Sequence, residues 1–206
     1  MTYSNCQYCD AVWTANWDYC PQCRRNYGGA IYPELYSLRE LESIERTSTI
    51  IRDAFRGVEL GNGLTIHEAD LEGHDEDGEG EAARAKDPER NWTEIPDWKL
   101  ERIHVLSYCF DIEGWRFHLP AYLIWTLKNW RTSTSLTSDY VVWGLRLSNN
   151  SEYDLERFRS LTISQSNAVL AFLDHLDQFS GERDASETLE SYWGRFREDD
   201  QDLTRT

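Results

Sequence analysis

The sequence predicts an α+β protein, in which a helix-rich domain with a small antiparallel sheet or hairpin follows an N-terminal zinc ribbon. Three observations lead to this prediction. Apolar residues recur at helical spacing over much of the chain, residues 105–118 have the pattern of a hairpin, and two Cys-x-x-Cys pairs lie near the start. We predict a ribbon over residues 1–30, the helix-rich α+β domain over 31–197 and a polar tail over 198–206.

The ribbon prediction rests on Cys6, Cys9, Cys20 and Cys23, which form two pairs separated by ten residues. Two residues between thiols allow a tight turn to direct both sulfurs at one ion, and two such turns complete a tetrahedron around Zn²⁺. Metal binding would order a segment too short to have its own core. Iron in the same site, or cysteines that are reduced or paired as disulfides, are the alternatives.

Residues 4–29 also resemble the short zinc-ribbon domains of bacterial proteins. The resemblance lies in the order Cys-x-x-Cys, ten residues with an aromatic just before Cys20, then Cys-Pro-x-Cys. Those ribbons usually have Gly after the second and fourth cysteines, where this chain has Asp10 and Arg24. The resemblance implies a zinc centre with all four ligands intact and a slightly different turn backbone.

Helical periodicity is clearest near the C-terminus, where two amphipathic helices are predicted. We expect the first to be capped by Ser164. The apolar sets with spacing i, i+3, i+4, i+7 are Val169, Phe172, Leu173 and Leu176 in the first helix, and Leu189, Tyr192, Trp193 and Phe196 in the second. Farther upstream, Thr65 and Glu68 have the spacing of a capping box and predict the start of a short helix.

The small sheet is predicted from residues 105–118 and 140–147. Residues 105–110 are β-prone, 111–114 have turn composition, and 115–118 alternate large apolar with polar side chains, which is typical of a hairpin. Pro120 then stands where the first residue of a helix is expected. Residues 140–147 are predicted to form a further strand.

The charge pattern favours a basic partner. The formal net charge is −16, from 21 Lys and Arg against 37 Asp and Glu, and such a field repels phosphate backbones. Residues 67–94 hold eleven acids and three bases, a net of −8, which is half of the excess. Within them, residues 73–81 are predicted to form a mobile acidic loop.

The expected compartment is the cytoplasm. No apolar stretch approaches the roughly 20 residues of a membrane-spanning helix, and the first residues have neither a basic region nor an apolar core of a signal peptide. Closely spaced cysteine pairs in a cytoplasmic chain indicate metal binding in preference to disulfides.

Residues 104–122 contain the side chains most suited to catalysis. A thiol–imidazole pair and a pair of carboxylates beside a predicted turn are conceivable, from Cys109, His104, His118, Asp111 and Glu113. A buried cysteine and ordinary turn composition explain the same residues without catalysis. We therefore assign no catalytic residue, and an enzyme of unknown reaction using this region is the alternative.

Several strings in residues 47–179 together resemble a bacterial family of small domains of unknown function. The most specific is an aromatic-Arg-Phe-x-Leu-Pro-Ala-Tyr segment, Trp115 to Tyr122. The others include Ala54-Phe55-Arg56-Gly57-Val58, Ala83-Arg84-Ala85-Lys86-Asp87, Asn91-Trp92, Ile95-Pro96 and Ala168-Val169. The family has no catalytic residue to transfer, so the resemblance implies an intact fold and a bacterial origin.

These observations predict a zinc-binding, non-enzymatic protein-interaction module of a bacterial cytoplasmic protein. Its acidic surface would recognise a basic protein, as immunity or regulatory proteins do. The second alternative is nucleic-acid binding through the ribbon, with Arg24, Arg25 and the aromatic residues as contacts. The ribbon's own charges cancel, which disfavours that alternative.

Overall fold

The structure is a computed structural model that describes residues 3–5, 12–14, 36–71, 79–107, 109–148, 151–181 and 183–197. The four cysteines of the predicted ribbon and positions 73–78 of the predicted acidic loop lie outside the described residues. The ribbon and the mobility of that loop therefore remain predictions.

The described part of residues 36–197 is helical. The α-helices are α1 (Leu38–Ala54), α2 (Ile66–Leu71), α3 (Glu79–Arg84), α4 (Asp97–Arg102), α5 (Ile112–Asn129), α6 (Thr137–Gly144), α7 (Ser151–Arg159), α8 (Ile163–Ser180) and α9 (Arg183–Ser191). Two 3₁₀ turns, Trp92–Glu94 and Trp193–Arg197, complete the set.

Helix α5 lies at the centre of the domain. Fourteen of its 18 residues are buried, so it has no solvent-facing stripe. Its neighbours are α1, α4, α6, α7, α8 and the 3₁₀ turn at Trp92. A helix that is apolar on all sides must be covered on all sides, and this requirement arranges the shorter helices around it. None of the helices described is both long and apolar enough to cross a bilayer.

The predicted α+β class is wrong. Residues 105–118, predicted as a hairpin, form a turn and the first two turns of α5, and residues 140–147 belong mostly to α6. Both segments are buried between helices, so their apolar residues are not confined to one side of the helix. A short apolar run of this kind does not distinguish a strand from a core helix by its periodicity.

The start of α5 explains the rest of the error. Asp111, assigned to a hairpin turn, is the helix N-cap, and its Oδ1 accepts a hydrogen bond from Gly114 N at 2.9 Å. Pro120, expected at the first helical position, lies inside the helix. Proline there removes the bond to the Arg116 carbonyl, and the surrounding helices hold α5 together despite this loss.

Two short strands lie outside the helical domain. Strand β1 (Tyr3–Asn5) pairs antiparallel with β2 (Val12–Thr14), with Asn5 opposite Val12. They belong to the N-terminal segment and not to the region where the sheet of the domain was predicted.

The first C-terminal helix packs as its pattern predicts, whereas the second ends at Ser191 and the predicted helical spacing is not continued. Trp193 and Phe196 lie in a 3₁₀ turn, and Phe196 is only partly buried. Val169, Phe172, Leu173 and Leu176 of α8 are buried, and α8 contacts both α1 and α9. Trp193 is fully buried, and its Nε1 donates to the Leu145 carbonyl at 2.8 Å. The predicted cap Ser164 is wrong by two positions, because the capping box is formed by Thr162 and Gln165.

This capping box gives a paired test of local stability. Thr162→Ala should lower the free energy of unfolding by about 1 kcal/mol, because the Gln165 backbone N–H loses its acceptor. Ser164→Ala is the control, since Ser164 is the exposed second residue of the helix and should change stability by less than about 0.5 kcal/mol. Urea unfolding measures both, and equal losses would contradict the assignment of the cap.

Candidate functional site

A buried lysine lies at the centre of a polar cluster that joins α4 to the segment after α3. Lys99 is on α4, and its side chain is 3% exposed. Its Nζ donates to Asp87 Oδ1 and Glu89 Oε1, both at 2.7 Å, and to the Lys86 carbonyl at 3.0 Å. An ammonium group has three donors, and all three are used here. Because a buried charge requires such partners, Lys99 fixes residues 86–89 against α4.

His67 completes the cluster from the side of α2. Its backbone N–H donates to Asp87 Oδ2 at 2.9 Å, and its Nδ1 lies 2.7 Å from Asp87 Oδ1. Burial raises the pKa of Asp87, but the hydrogen bonds from Lys99 and His67 outweigh it, and the pKa lies below its usual value. Asp87 is therefore a carboxylate near neutral pH and ties α2 to α4.

A cleft opens beside this cluster. It has a volume of about 670 Å³ and lies between the loop at Glu59–Gly61 and the segment that carries Arg84, Asp87, Glu89 and Arg90. A much smaller cavity of about 10 Å³ continues from Thr65, Asp87 and Glu89 to His118. That volume is close to the minimum for one water molecule, so the cleft does not extend to the imidazole for a larger ligand.

His118 is the one predicted candidate that reaches this area. Its Nδ1 lies 2.7 Å from the Gly114 carbonyl, and its ring stacks on Phe110 with centroids 4.4 Å apart. Burial lowers the pKa of His118 to about 4, although the Gly114 carbonyl opposes this effect. The ring is therefore neutral at pH 7, with the proton on Nδ1.

The carboxylates of Asp111 and Glu113 point to the backbone of the preceding loop. Asp111 Oδ1 also accepts from Leu64 N at 2.9 Å, and Glu113 Oε2 accepts from Asn62 N at 3.1 Å. The loop backbone at Gly63 lies close to the start of α5, since a Cβ on Gly63 would lie 2.4 Å from Gly114 N. The two acids thus hold the loop at residues 61–64 against the start of α5, and they do not face each other across a cleft.

Cys109 and His104, the candidates for a thiol–imidazole pair, each contact other groups. Cys109 is 9% exposed and belongs to the apolar core. His104 Nε2 lies 2.8 Å from Ser135 Oγ and 3.0 Å from the Glu101 carbonyl, and its ring stacks on Tyr140. The structure therefore places His104 in a contact between α4 and the loop before α6.

Helices α2 and α3 form the stem of an acidic hairpin, which we define as residues 66–84. Arg84 of α3 donates to Glu68 Oε1 of α2 and to the Gly63 carbonyl, both at 2.8 Å. Burial raises the pKa of Glu68, but hydrogen bonds from Thr65 and Arg84 outweigh it and lower the value. The predicted Thr65–Glu68 capping box is present, with Thr65 N donating to Glu68 at 2.8 Å. The base of the hairpin is therefore fixed.

Sequence reasoning missed Lys99 and its partners. The available signal was the position of Lys99, four residues after Ile95 and four before Ile103, both of which are buried. A lysine on the apolar stripe of a helix indicates a buried charge that needs carboxylates nearby. Asp87 and Glu89 lie in a segment so rich in charge that nothing in the sequence distinguishes them from exposed acids.

Among the described residues of the domain, the side chains that could bind a metal are dispersed. In the part of the chain that the structure describes, no three His, Cys, Asp or Glu side chains are grouped as metal ligands. Cys6, Cys9, Cys20 and Cys23, the predicted zinc ligands, fall at positions that are not described.

Comparison with known proteins gives one match. The model of a family described as a family of unknown function (DUF6714) matches residues 44–197, which include the Lys99 cluster and the acidic hairpin but not the ribbon cysteines. No curated protein and no solved structure matches the chain.

Removal of the buried ammonium group should destabilise the domain severely. In Lys99→Met, the carboxylates of Asp87 and Glu89 remain buried without their cation, and we expect a loss of about 3–5 kcal/mol in the free energy of unfolding. Lys86→Met is the matched control, because Lys86 is exposed and should change stability by less than about 0.5 kcal/mol.

A triple variant distinguishes the contribution of the ion pairs to stability from that of the packing of the lysine side chain. Addition of Asp87→Asn and Glu89→Gln to Lys99→Met removes the uncompensated charges and should restore part of the lost stability. Denaturant unfolding at pH 7 measures all variants. A loss below about 1 kcal/mol for Lys99→Met would contradict a role for the cluster in holding the domain together.

Proposed function

The chain belongs to the DUF6714 family, whose function is unknown, and we propose that it is a non-enzymatic binding module for a basic protein. In this proposal, the acidic hairpin is the recognition element. A zinc-bound ribbon orders the N-terminal segment.

The fixed base of the acidic hairpin is the observation on which the proposal rests. Arg84 joins α3 to α2 through Glu68, and His67 and Lys99 join the hairpin to the core through Asp87. Leu71 and Glu79, which flank residues 72–78, are therefore held at defined positions. A charged segment held at both ends loses less conformational entropy on binding than a free tail.

The charges of this segment divide into two groups. Of the eleven acids in residues 67–94, four accept hydrogen bonds within the domain and contribute to its structure: Glu68, Asp87, Glu89 and Glu94. Eleven minus four leaves seven. Asp70, Glu79 and Glu81 of these are exposed, and the other four lie in residues 72–78. This concentration of negative charge would attract a basic surface and accelerate association with it.

Strands β1 and β2 support the zinc part of the proposal. They pair antiparallel, so the six residues 6–11 join two adjacent strand ends, and Cys6 and Cys9 are among them. Zinc ribbons present two of their four thiolates from a cysteine pair between two paired strands. Cys20 and Cys23 would supply the other two.

The metal content of the purified protein tests the zinc proposal. We expect about one zinc ion per chain, lost together with the order of the N-terminal segment in Cys20→Ser, because four thiolates are needed to close a structural site. Cys109→Ser is the matched control and should keep its zinc, since Cys109 lies in the core of the helical domain. Elemental analysis by mass spectrometry provides the measurement. Iron in place of zinc would change the assigned metal, and absence of any metal would refute the site.

Neutralisation of the hairpin tests the recognition proposal. Asp75→Asn, Glu76→Gln and Asp77→Asn together should abolish capture of the partner from lysate, because they remove three of the seven acids that remain in residues 67–94. Capture by the native chain should weaken between about 0.1 M and about 1 M salt, as the Debye length falls from about 10 Å to about 3 Å. Quantitative mass spectrometry of the captured proteins provides the measurement.

A charge-matched variant distinguishes recognition by the hairpin from attraction by net charge. Glu42→Gln, Glu45→Gln and Glu190→Gln neutralise three exposed acids on α1 and α9. This variant should retain capture. Equal loss in both variants, or capture that is unchanged at high salt, would contradict a specific role for the hairpin.

A further inference from the structure

The outer face of α6 exposes large apolar side chains at neighbouring positions. Leu136, at the N-cap, is 53% exposed and Trp143 is 48% exposed, and Tyr140 lies between them and is partly buried. Their spacing of i, i+4 and i+7 places all three on one stripe that is about 10 Å long. We call these three residues the α6 stripe. Contiguous exposed apolar surface of this kind marks an interaction site, whereas single exposed residues do not.

The aromatic rings of the α6 stripe are held in defined positions. Tyr140 stacks on His104 with centroids 5.5 Å apart, and it meets Trp143 edge to face with centroids 5.2 Å apart. Trp143 Nε1 lies 3.4 Å from Asp184 Oδ2 of α9. Side chains that are already fixed lose little conformational entropy when a partner covers them, so the stripe is prepared for binding.

Acidic side chains border the stripe on the side of α9. Asp139 of α6 follows Leu136 by three positions and precedes Trp143 by four, and Asp184 and Glu187 lie on α9, which packs against α6. Arg146 lies 2.7 Å from Glu187 and 3.9 Å from Asp184. Three carboxylates and one guanidinium give this border a net charge of −2.

The charge of the border decides between the possible occupants of the stripe. A second copy of the chain would bring the same carboxylates to the same surface, and each copy carries a net charge of −16. A nucleic acid or an anionic lipid surface would be repelled in the same way. A basic partner is attracted instead, because Lys or Arg side chains can pair with Asp139 and Asp184 and lie over the Trp143 ring.

The shape of the stripe favours a helix as the part of that partner that binds. Apolar residues at i, i+4 and i+7 of one helix pack on residues of the same spacing on another, as in complexes that recognise an amphipathic helix. We propose that the α6 stripe binds an amphipathic helix of a basic protein. The stripe has no residue in common with the acidic hairpin, so this proposal does not depend on recognition by the hairpin.

Calorimetric titration of the full chain with a synthetic peptide tests the proposal. The probe is a Leu–Lys peptide of about 14 residues, four turns of helix, with its Leu residues on one face. We expect saturable binding at about 0.15 M salt. Binding should be about tenfold weaker or more for the same peptide with Glu at each Lys position, and for a Leu–Lys peptide of scrambled order, which has the charge without the apolar face.

Substitutions in the stripe locate the binding surface. Trp143→Ala and Leu136→Ala should each weaken binding of the Leu–Lys peptide about tenfold or more. Ile163→Ala is the matched control, because Ile163 is 65% exposed on α8 and outside the stripe. Leu136→Ala removes an exposed side chain and keeps the proposal testable if Trp143→Ala does not fold. Asp139→Asn should weaken binding about threefold, with Glu156→Gln of α7 as its control.

The hairpin variant with Asp75→Asn, Glu76→Gln and Asp77→Asn should bind the peptide as the native chain does. Loss of binding in that variant, with binding unchanged in Trp143→Ala and Leu136→Ala, would overturn the proposal. Absence of saturable binding, or equal affinity for the Leu–Lys peptide and either control peptide, would also overturn it. A native dimer that Trp143→Ala dissociates in sedimentation equilibrium would assign the stripe to a second copy instead.

Discussion

The burial of α5 on every side is the constraint on which the rest of the domain depends. Fourteen of the 18 residues of α5 are buried, so nearly all of its surface must be covered by other elements. The position of each neighbouring helix is therefore set by the part of α5 that it covers. The short helices α4, α6 and α7 have too little apolar surface to be stable alone, and contact with α5 supplies it. The interior proline is tolerated for the same reason, since packing compensates for the missing backbone bond.

This arrangement places polar groups in the interior, and several of them donate to backbone carbonyls of a neighbouring element. Tyr122 of α5 donates to the Ile103 carbonyl at 2.6 Å, and Trp92 Nε1 donates to the Phe55 carbonyl at 3.0 Å. Lys99 likewise donates to a backbone carbonyl, but its buried group is charged and also has two carboxylate partners. One of them, Asp87, connects the acidic hairpin to the core through His67. The attachment of the acidic hairpin to the core therefore depends on this cluster.

The sequence contains enough information for the amphipathic parts of this fold. Helix α8 has water on one side and the core on the other, so its buried residues Phe172 and Leu173 follow the 3.6-residue period and were predicted. Helix α5 has no such contrast, and Asp111 as a cap looks the same in sequence as Asp111 in a turn. Lys99 was missed because its partners are brought together by tertiary packing, which no local pattern reveals.

The acids of residues 67–94 fall into two groups, those that accept hydrogen bonds within the domain and those that remain. This division explains how a protein of net charge −16 can have a stable domain that includes its most acidic segment. Like charges on a compact surface repel each other, and this repulsion opposes folding. Glu68 and Asp87 face Arg84 and Lys99, so their charges favour the folded state instead. The repulsion that remains is concentrated in Asp70, Glu79, Glu81 and the residues between the two helices. A basic partner would reduce the repulsion among these acids, so its binding would stabilise the folded domain.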